Sequence, residues 1–117
     1  MKTIFILDDD EIMAECLSRA LKNYQTKIFH NAYDAMNEIS AGSLPDLIFL
    51  DILLDGPDGF TFLNELISYD DTAKIPVVVV TSLEIPETLK NYNICKILRK
   101  EKMTPNDIKN CAEKFLK

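Results

Sequence analysis

The stretch "TIFILDDDEI", residues 3–12, runs four apolar side chains, Ile4, Phe5, Ile6 and Leu7, straight into Asp8, Asp9 and Asp10, with Glu11 behind them. A strand with one wet face alternates apolar and polar residues, whereas an unbroken run of large apolar residues is how a strand reads when both faces are covered. Residues 47–50 (LIFL) and 77–80 (VVVV) have the same character. Residues 27–30 (KIFH) and 95–98 (CKIL) alternate more and suit edge positions.

Between these runs the apolar period changes to that of a helix. Ile12, Cys16, Leu17, Ala20 and Leu21 line one predicted face, and Ala32, Ala35, Met36 and Ile39 a second. Phe60, Leu63, Leu66 and Ile67 give a third. Ile108, Cys111, Ala112, Phe115 and Leu116 give the last, with Thr104 as N-cap and Pro105 at the first helical position. "LEIPETLKNYN", residues 83–93, is the poorest helix candidate, and Pro86 could start a short helix at best.

Strand and helix thus alternate five times in one domain of 117 residues, with Gly42, Pro45 and Pro76 marking helix-to-strand turns. Such alternation predicts parallel strands joined by right-handed crossovers, with helices on both faces of the sheet. The expected fold is an α/β flavodoxin-like (βα)5 sandwich with strand order 2-1-3-4-5. The expectation is a single domain spanning 1–117, without an output domain.

Composition narrows the function. With 47% hydrophobic and 27% charged residues the chain reads as an ordinary globular domain, and its net charge of -6 disfavours direct binding to nucleic acid or anionic lipid. No apolar stretch approaches the roughly 18 residues that span a membrane, so the expected location is the cytoplasm. Cys16, Cys95 and Cys111 are far apart, show no C-x-x-C spacing and sit in apolar patterns, which predicts buried reduced thiols.

In open sheets of this class, ligands sit beyond the carboxyl ends of the strands where the strand order reverses. The sequence brings Asp8, Asp9 and Asp10 there from the first strand, Asp51 from the third, Thr81 and Ser82 from the fourth, and Arg99 and Lys100 from the fifth. Singly, each has a plain structural role: Asp9 or Asp10 could cap the helix that follows, and Lys100 could be a solvated lysine. Together they form a constellation. Carboxylates about 5 Å apart repel by roughly 1 to 3 kcal/mol per pair, so Asp8, Asp9 and Asp51 would raise their own pKa values or need a cation. All-oxygen ligands suit a hard divalent ion such as Mg2+ better than zinc, and the lone His30 is not needed. Asp51 could then act as nucleophile toward a phosphoryl group, with the metal and a lysine neutralising charge on its equatorial oxygens and a hydroxyl such as that of Thr81 donating to one of them.

At this point the sequence closely resembles the receiver domain of bacterial two-component response regulators. "FILDDDEI" looks like the family's acidic pair, which implies Asp8 and Asp9 as Mg2+ ligands. "LIFLDILLDGPDGF" looks like its phosphoacceptor motif D-x-x-M-P-x-x-D-G, which implies Asp51 as acceptor, Asp58-Gly59 as the closing pair and the Leu53 backbone carbonyl as a further metal ligand. "VVVVTS" matches the strand ending in a switch hydroxyl, Thr81, and "KILRK" the strand ending in the phosphate lysine, Lys100, with Lys102 as a second candidate.

The resemblance also shows departures. Leu54 and Asp55 replace the usual Met-Pro, Glu101 stands where a proline often follows the lysine, and Ile97 replaces the switch aromatic. By the resemblance, Leu53 and Leu83 stand at positions that flank the phosphoryl group in the family, which implies slow self-dephosphorylation. The implied function is a phosphoacceptor switch phosphorylated by a sensor histidine kinase or phosphotransfer protein and read by a downstream protein target, with homodimerisation as an option. The alternative is a degenerate receiver acting as a phosphorylation-independent interaction module. A phosphohydrolase would want an aspartate where Leu53 stands, and a flavin carrier would want hydroxyls where the three aspartates stand.

Overall fold

A computed structural model describes residues 1–52, 59–82 and 92–116. Five strands, β1 (Thr3–Leu7), β2 (Gln25–Phe29), β3 (Leu47–Leu50), β4 (Val77–Thr81) and β5 (Ile94–Arg99), form one parallel sheet in the order β2-β1-β3-β4-β5. Among the described residues the helices are α1 (Glu11–Ala20), α2 (Ala32–Ser40), α3 (Gly59–Ile67), α4 (Asp70–Ala73) and α5 (Pro105–Phe115). The predicted flavodoxin-like topology is the one found.

The apolar runs behave as their lack of alternation requires. Successive side chains of a strand point to opposite faces. Phe5, Leu7, Ile48, Leu50, Val77 and Val79 therefore pack with α2 and α3, while Ile4, Ile6, Leu47, Phe49, Val78 and Val80 pack with α1 and α5. All twelve are essentially inaccessible to water, and full burial contributes about 1.5–3 kcal/mol for each large side chain among them. Edge strands β2 and β5 mix exposed and covered residues.

Helix ends follow local chemistry. The Asp10 side chain caps α1 by accepting from the backbone N–H groups of Ile12 and Met13 at 3.0 and 3.3 Å. Thr104 and Asp107 close a reciprocal capping box on α5, with Pro105 in its first turn. α2 ends on Gly42, whose φ of 101° suits glycine, and the N–H groups of Gly42 and Ser43 donate back to Ile39 and Glu38 in a Schellman arrangement.

Four expectations need correction. The inner face of α1 is Ala14, Leu17 and Leu21, while Ile12 is 76% exposed and Cys16 faces solvent. Ala14 and Leu17 are the residues that the crossover packs on the sheet, and small Ala14 does not announce itself by bulk. The predicted buried thiol thus fails for Cys16; Cys95 is half-buried, with burial pushing its thiol up to about 11, and Cys111 is buried and likewise raised. On α3 the inner face turns through Gly59, Phe62, Leu63 and Leu66, leaving Ile67 partly exposed. Short α4 was not foreseen; it closes over Thr72, whose buried hydroxyl donates to the Leu66 carbonyl. The poor helix candidate of residues 83–93 lies almost wholly outside the described residues.

Register sets what reaches the carboxyl edge. Leu7 pairs with Leu50, so Asp8 and Asp51 are the next residues on adjacent strands. Between β4 and β5 the pairing steps from Val77–Ile94 to Val78–Lys96, leaving Cys95 as an extra residue. That bulge advances β5 by one position, so that Arg99 pairs with Thr81 and Lys100 follows immediately.

Candidate functional site at the carboxyl edge of the sheet

The central strands β1 and β3 deliver their next residues to one place. The Asp8 N–H donates to the Phe29 carbonyl at 3.1 Å and the Asp51 N–H to the Leu7 carbonyl at 2.9 Å, continuing the sheet ladder past the strand ends. Both carboxylates are buried, Asp8 at 1% and Asp51 at 5% exposure. Carboxylate oxygens of Asp8, Asp9 and Asp51 all lie within 4.8 Å of one another, with Asp9 the more solvent-facing.

One cation bridges the buried pair. Lys100 Nζ stands 2.9 Å from Asp51 Oδ2 and 3.2 Å from Asp8 Oδ2. Its backbone N–H donates to the Thr81 carbonyl at 3.0 Å, which ties the lysine to the tip of β4. Thr81 itself is fully buried. Lys102 is exposed in the turn after β5, so Lys100 is the lysine beside the carboxylates. Among the described residues no peptide bond is cis, including the one joining Lys100 to Glu101.

Asp8 shows the strain of this arrangement. Its Oδ1 accepts the Asp10 N–H at 2.9 Å, but among the described residues the buried Oδ2 has no hydrogen bond and meets only the Lys100 ammonium, at 3.2 Å. Burial raises the Asp8 carboxyl above the usual carboxylate range; the Asp10 N–H and the Lys100 charge pull it down less than burial and Asp51 push it up. Burial pulls Lys100 the other way, yet its hydrogen bond to Asp51 and the charges of Asp8 and Asp51 outweigh that and raise it. The three aspartates after β1 are therefore not equivalent: Asp8 and Asp9 join the cluster, and Asp10 caps α1.

A divalent cation fits this donor set. Three carboxylates converge, one buried oxygen lacks a hydrogen bond, and all-oxygen ligands select hard ions. The Leu53 carbonyl, the fourth ligand that the resemblance implies, lies outside the described residues, as do Leu54, Asp55, Asp58 and Leu83.

Two neighbours support the site. His30 is not part of the acidic cluster and has a structural role: its Nδ1 meets the Asp8 carbonyl at 2.9 Å, from its place after β2, next to β1. Gly59 is required by close approach: a Cβ there would stand 2.6 Å from Ile52 Cα and 2.9 Å from the Asp51 carbonyl oxygen. Its N–H donates to the Ile52 carbonyl at 2.8 Å, closing the loop that leaves Asp51.

Fold and site together define a flavodoxin-like domain carrying an acidic cluster and a lysine at the switch point of its sheet. The chain belongs to the response regulator receiver domain family, whose description it matches over residues 4–110, and so to the class of two-component signalling domains. It is 34% identical over 86 residues to the response regulator PleD of Caulobacter vibrioides, covering 69% of this chain and 18% of PleD. It is 31% identical over 99 residues to the DNA-binding dual master transcriptional regulator RpaA of Synechocystis, covering 80% of this chain and 39% of RpaA. The chain therefore spans well under half the length of either relative. Among solved structures, the phosphorylated cyanobacterial phytochrome response regulator RcpA superposes with a TM-score of 0.83 at 26% identity, over 98% of this chain and 94% of that one.

Proposed function

We propose that the protein is a phosphoacceptor switch of a two-component relay in which Asp51 accepts the phosphoryl group. The observation that carries this reading is the Lys100 ammonium bridging Asp51 and Asp8 inside the three-carboxylate cluster. An Asp51 carboxylate oxygen forms the new bond to phosphorus as the bond to the donor nitrogen of a histidine kinase or phosphotransfer protein breaks. Lys100 is already poised beside the reacting oxygen and needs only a small movement to pair with the transferred group. The Thr81 hydroxyl donates to another phosphoryl oxygen once β4 adjusts.

Mg2+ would be held by Asp8 and Asp9 with Asp51 and the Leu53 carbonyl, and would neutralise charge on the transferring group. Each residue of the chain then has a defined duty: Asp8 and Asp9 hold charge, Asp51 attacks, and Lys100 and Thr81 stabilise the product. Phosphate binding one conformation better than the other shifts the population that a downstream protein reads. Among the described residues no helix is long and apolar enough to cross a membrane, and with the charge of -6 this favours action in the cytoplasm through protein partners.

The donor protein needs a landing surface near Asp51. Ile12, on the first turn of α1 directly behind the acidic loop, is 76% exposed and suits that contact. Ile12→Arg should slow phosphorylation by a kinase or phosphotransfer protein while leaving uptake from a small phosphodonor unchanged; equal rates from the protein donor would remove Ile12 from the interface.

The direct test follows covalent phosphate by intact mass after incubation with a small phosphodonor and Mg2+. Wild type should gain one phosphoryl group, and Asp51→Asn and a chelator-treated sample should gain none. An adduct persisting in Asp51→Asn would move the acceptor elsewhere, and no adduct in wild type would favour the phosphorylation-independent interaction module.

A further inference from the structure

A groove runs between α2 and α3 and is closed at one end by α4, with a cavity volume of about 620 Å³. Met36 and Phe62 form its apolar floor, Tyr33 and Tyr69 stand at its margins with 66% and 57% of their surfaces exposed, and Glu65 and Asp71 bring carboxylates to its rim. None of Asp8, Asp9, Asp51, Thr81 or Lys100 contributes to it, so it is separate from the phosphoacceptor site. An exposed groove with large aromatic margins is the kind of surface that a soluble domain keeps for an occupant.

Charge identifies that occupant. No lysine, arginine or histidine lines the groove among the described residues. The charged residues that line it are Glu65 and Asp71, both acidic. An acidic, aromatic-edged apolar trough between two helices matches a helix with apolar anchors at i, i+3, i+4 and i+7 and lysines or arginines flanking them. The exposed tyrosine rings would add cation–π contacts to those side chains. A second copy of this chain placed symmetrically would set acid against acid, which disfavours it.

The geometry points to the α2–α3 groove as the docking site for a basic amphipathic helix of a partner protein. This inference is independent of Asp51 chemistry and stands or falls separately from it. The probe is a synthetic helix of leucine and lysine with leucines at i, i+3, i+4 and i+7, compared with a scrambled peptide of the same composition and with a glutamate-for-lysine version. Backbone amide shifts on titration should map to residues 32–42 and 61–72, and the scrambled and glutamate peptides should bind at least roughly tenfold more weakly.

Glu65→Lys and Asp71→Asn should each weaken the patterned peptide, by roughly tenfold together, while circular dichroism and phosphoryl uptake from a small phosphodonor stay unchanged. Shifts centred elsewhere would overturn the proposal, as would equal binding of the scrambled peptide, because charge attraction alone would then suffice. Sedimentation showing self-association that the peptide displaces would also overturn it, making a second copy the occupant. Unchanged affinity in both rim variants would do the same.

Discussion

The carboxyl edge of the sheet and the N-terminus of α5 are both places where acids meet the end of a regular element, and they are built on opposite terms. At α5 every group is answered: the Asp107 N–H donates to Thr104 Oγ1 at 3.2 Å and the Thr104 N–H donates to Asp107 Oδ2 at 2.8 Å. At the sheet edge three carboxylates crowd within 4.8 Å, and among the described residues Asp8 Oδ2 is buried without a hydrogen bond. One acid stabilises its helix; the others are held against their own repulsion. Such local violations of polar satisfaction are expected where a protein keeps a site for something it binds.

The contrast can be broken, beginning with its largest consequence. Gly59→Ala places a methyl 2.6 Å from Ile52 Cα, against backbone that cannot rotate away, and should destabilise the fold by about 3 kcal/mol. It should also slow phosphoryl uptake, since the same methyl presses on the Asp51 carbonyl at 2.9 Å. A denaturation midpoint and uptake rate like those of wild type would show that the loop has slack.

Asp8→Asn should act in the reverse direction on stability. The asparagine keeps an acceptor for the Asp10 N–H and removes a charge that folding disfavours, so the metal-free protein should be slightly stabilised while losing most of its affinity for divalent cations. The pH dependence has a matching sign. Because the folded protein holds the Asp8 proton more tightly than the unfolded chain, wild-type stability from this group falls as pH rises from the usual carboxylate range through the raised value, and the variant should lack that fall. A variant less stable than wild type in chelator would mean that the Lys100 contact outweighs the cost of burying the charge.

Thr104→Ala should have the narrowest effect, a loss of about 1 kcal/mol from the α5 cap, with phosphoryl uptake and metal affinity unchanged. Impaired uptake would show that α5 and the site are coupled, and that the two regions are less separate than their hydrogen bonds suggest.

Much of this was legible in the sequence. Continuous apolar runs in β1, β3 and β4 encode burial on both faces, and the order of strands and helices leaves few topologies; Asp51 and Lys100 lie together because each follows a strand. The face of α1 was legible only in part: Leu17, Ala20 and Leu21 pack inward as read, but Ile12 and Cys16 carry apolar bulk on the outer face while small Ala14 lies against the sheet. The Cys95 bulge left no trace either, since one extra residue in an edge strand changes register without changing composition. Nor does spacing reveal how closely Gly59 approaches Ile52, a contact made only once the loop closes.

The pairing of Leu7 with Leu50 has one more consequence. Parallel strands lie about 4.8 Å apart in the hydrogen-bonding direction, so the gap between Asp8 and Asp51 is measured out by the peptide ladder rather than by the side chains. The sheet is a ruler. Substitution can change which atoms stand at its marks, and so which ion or group is held, but the spacing between the marks is inherited with the fold.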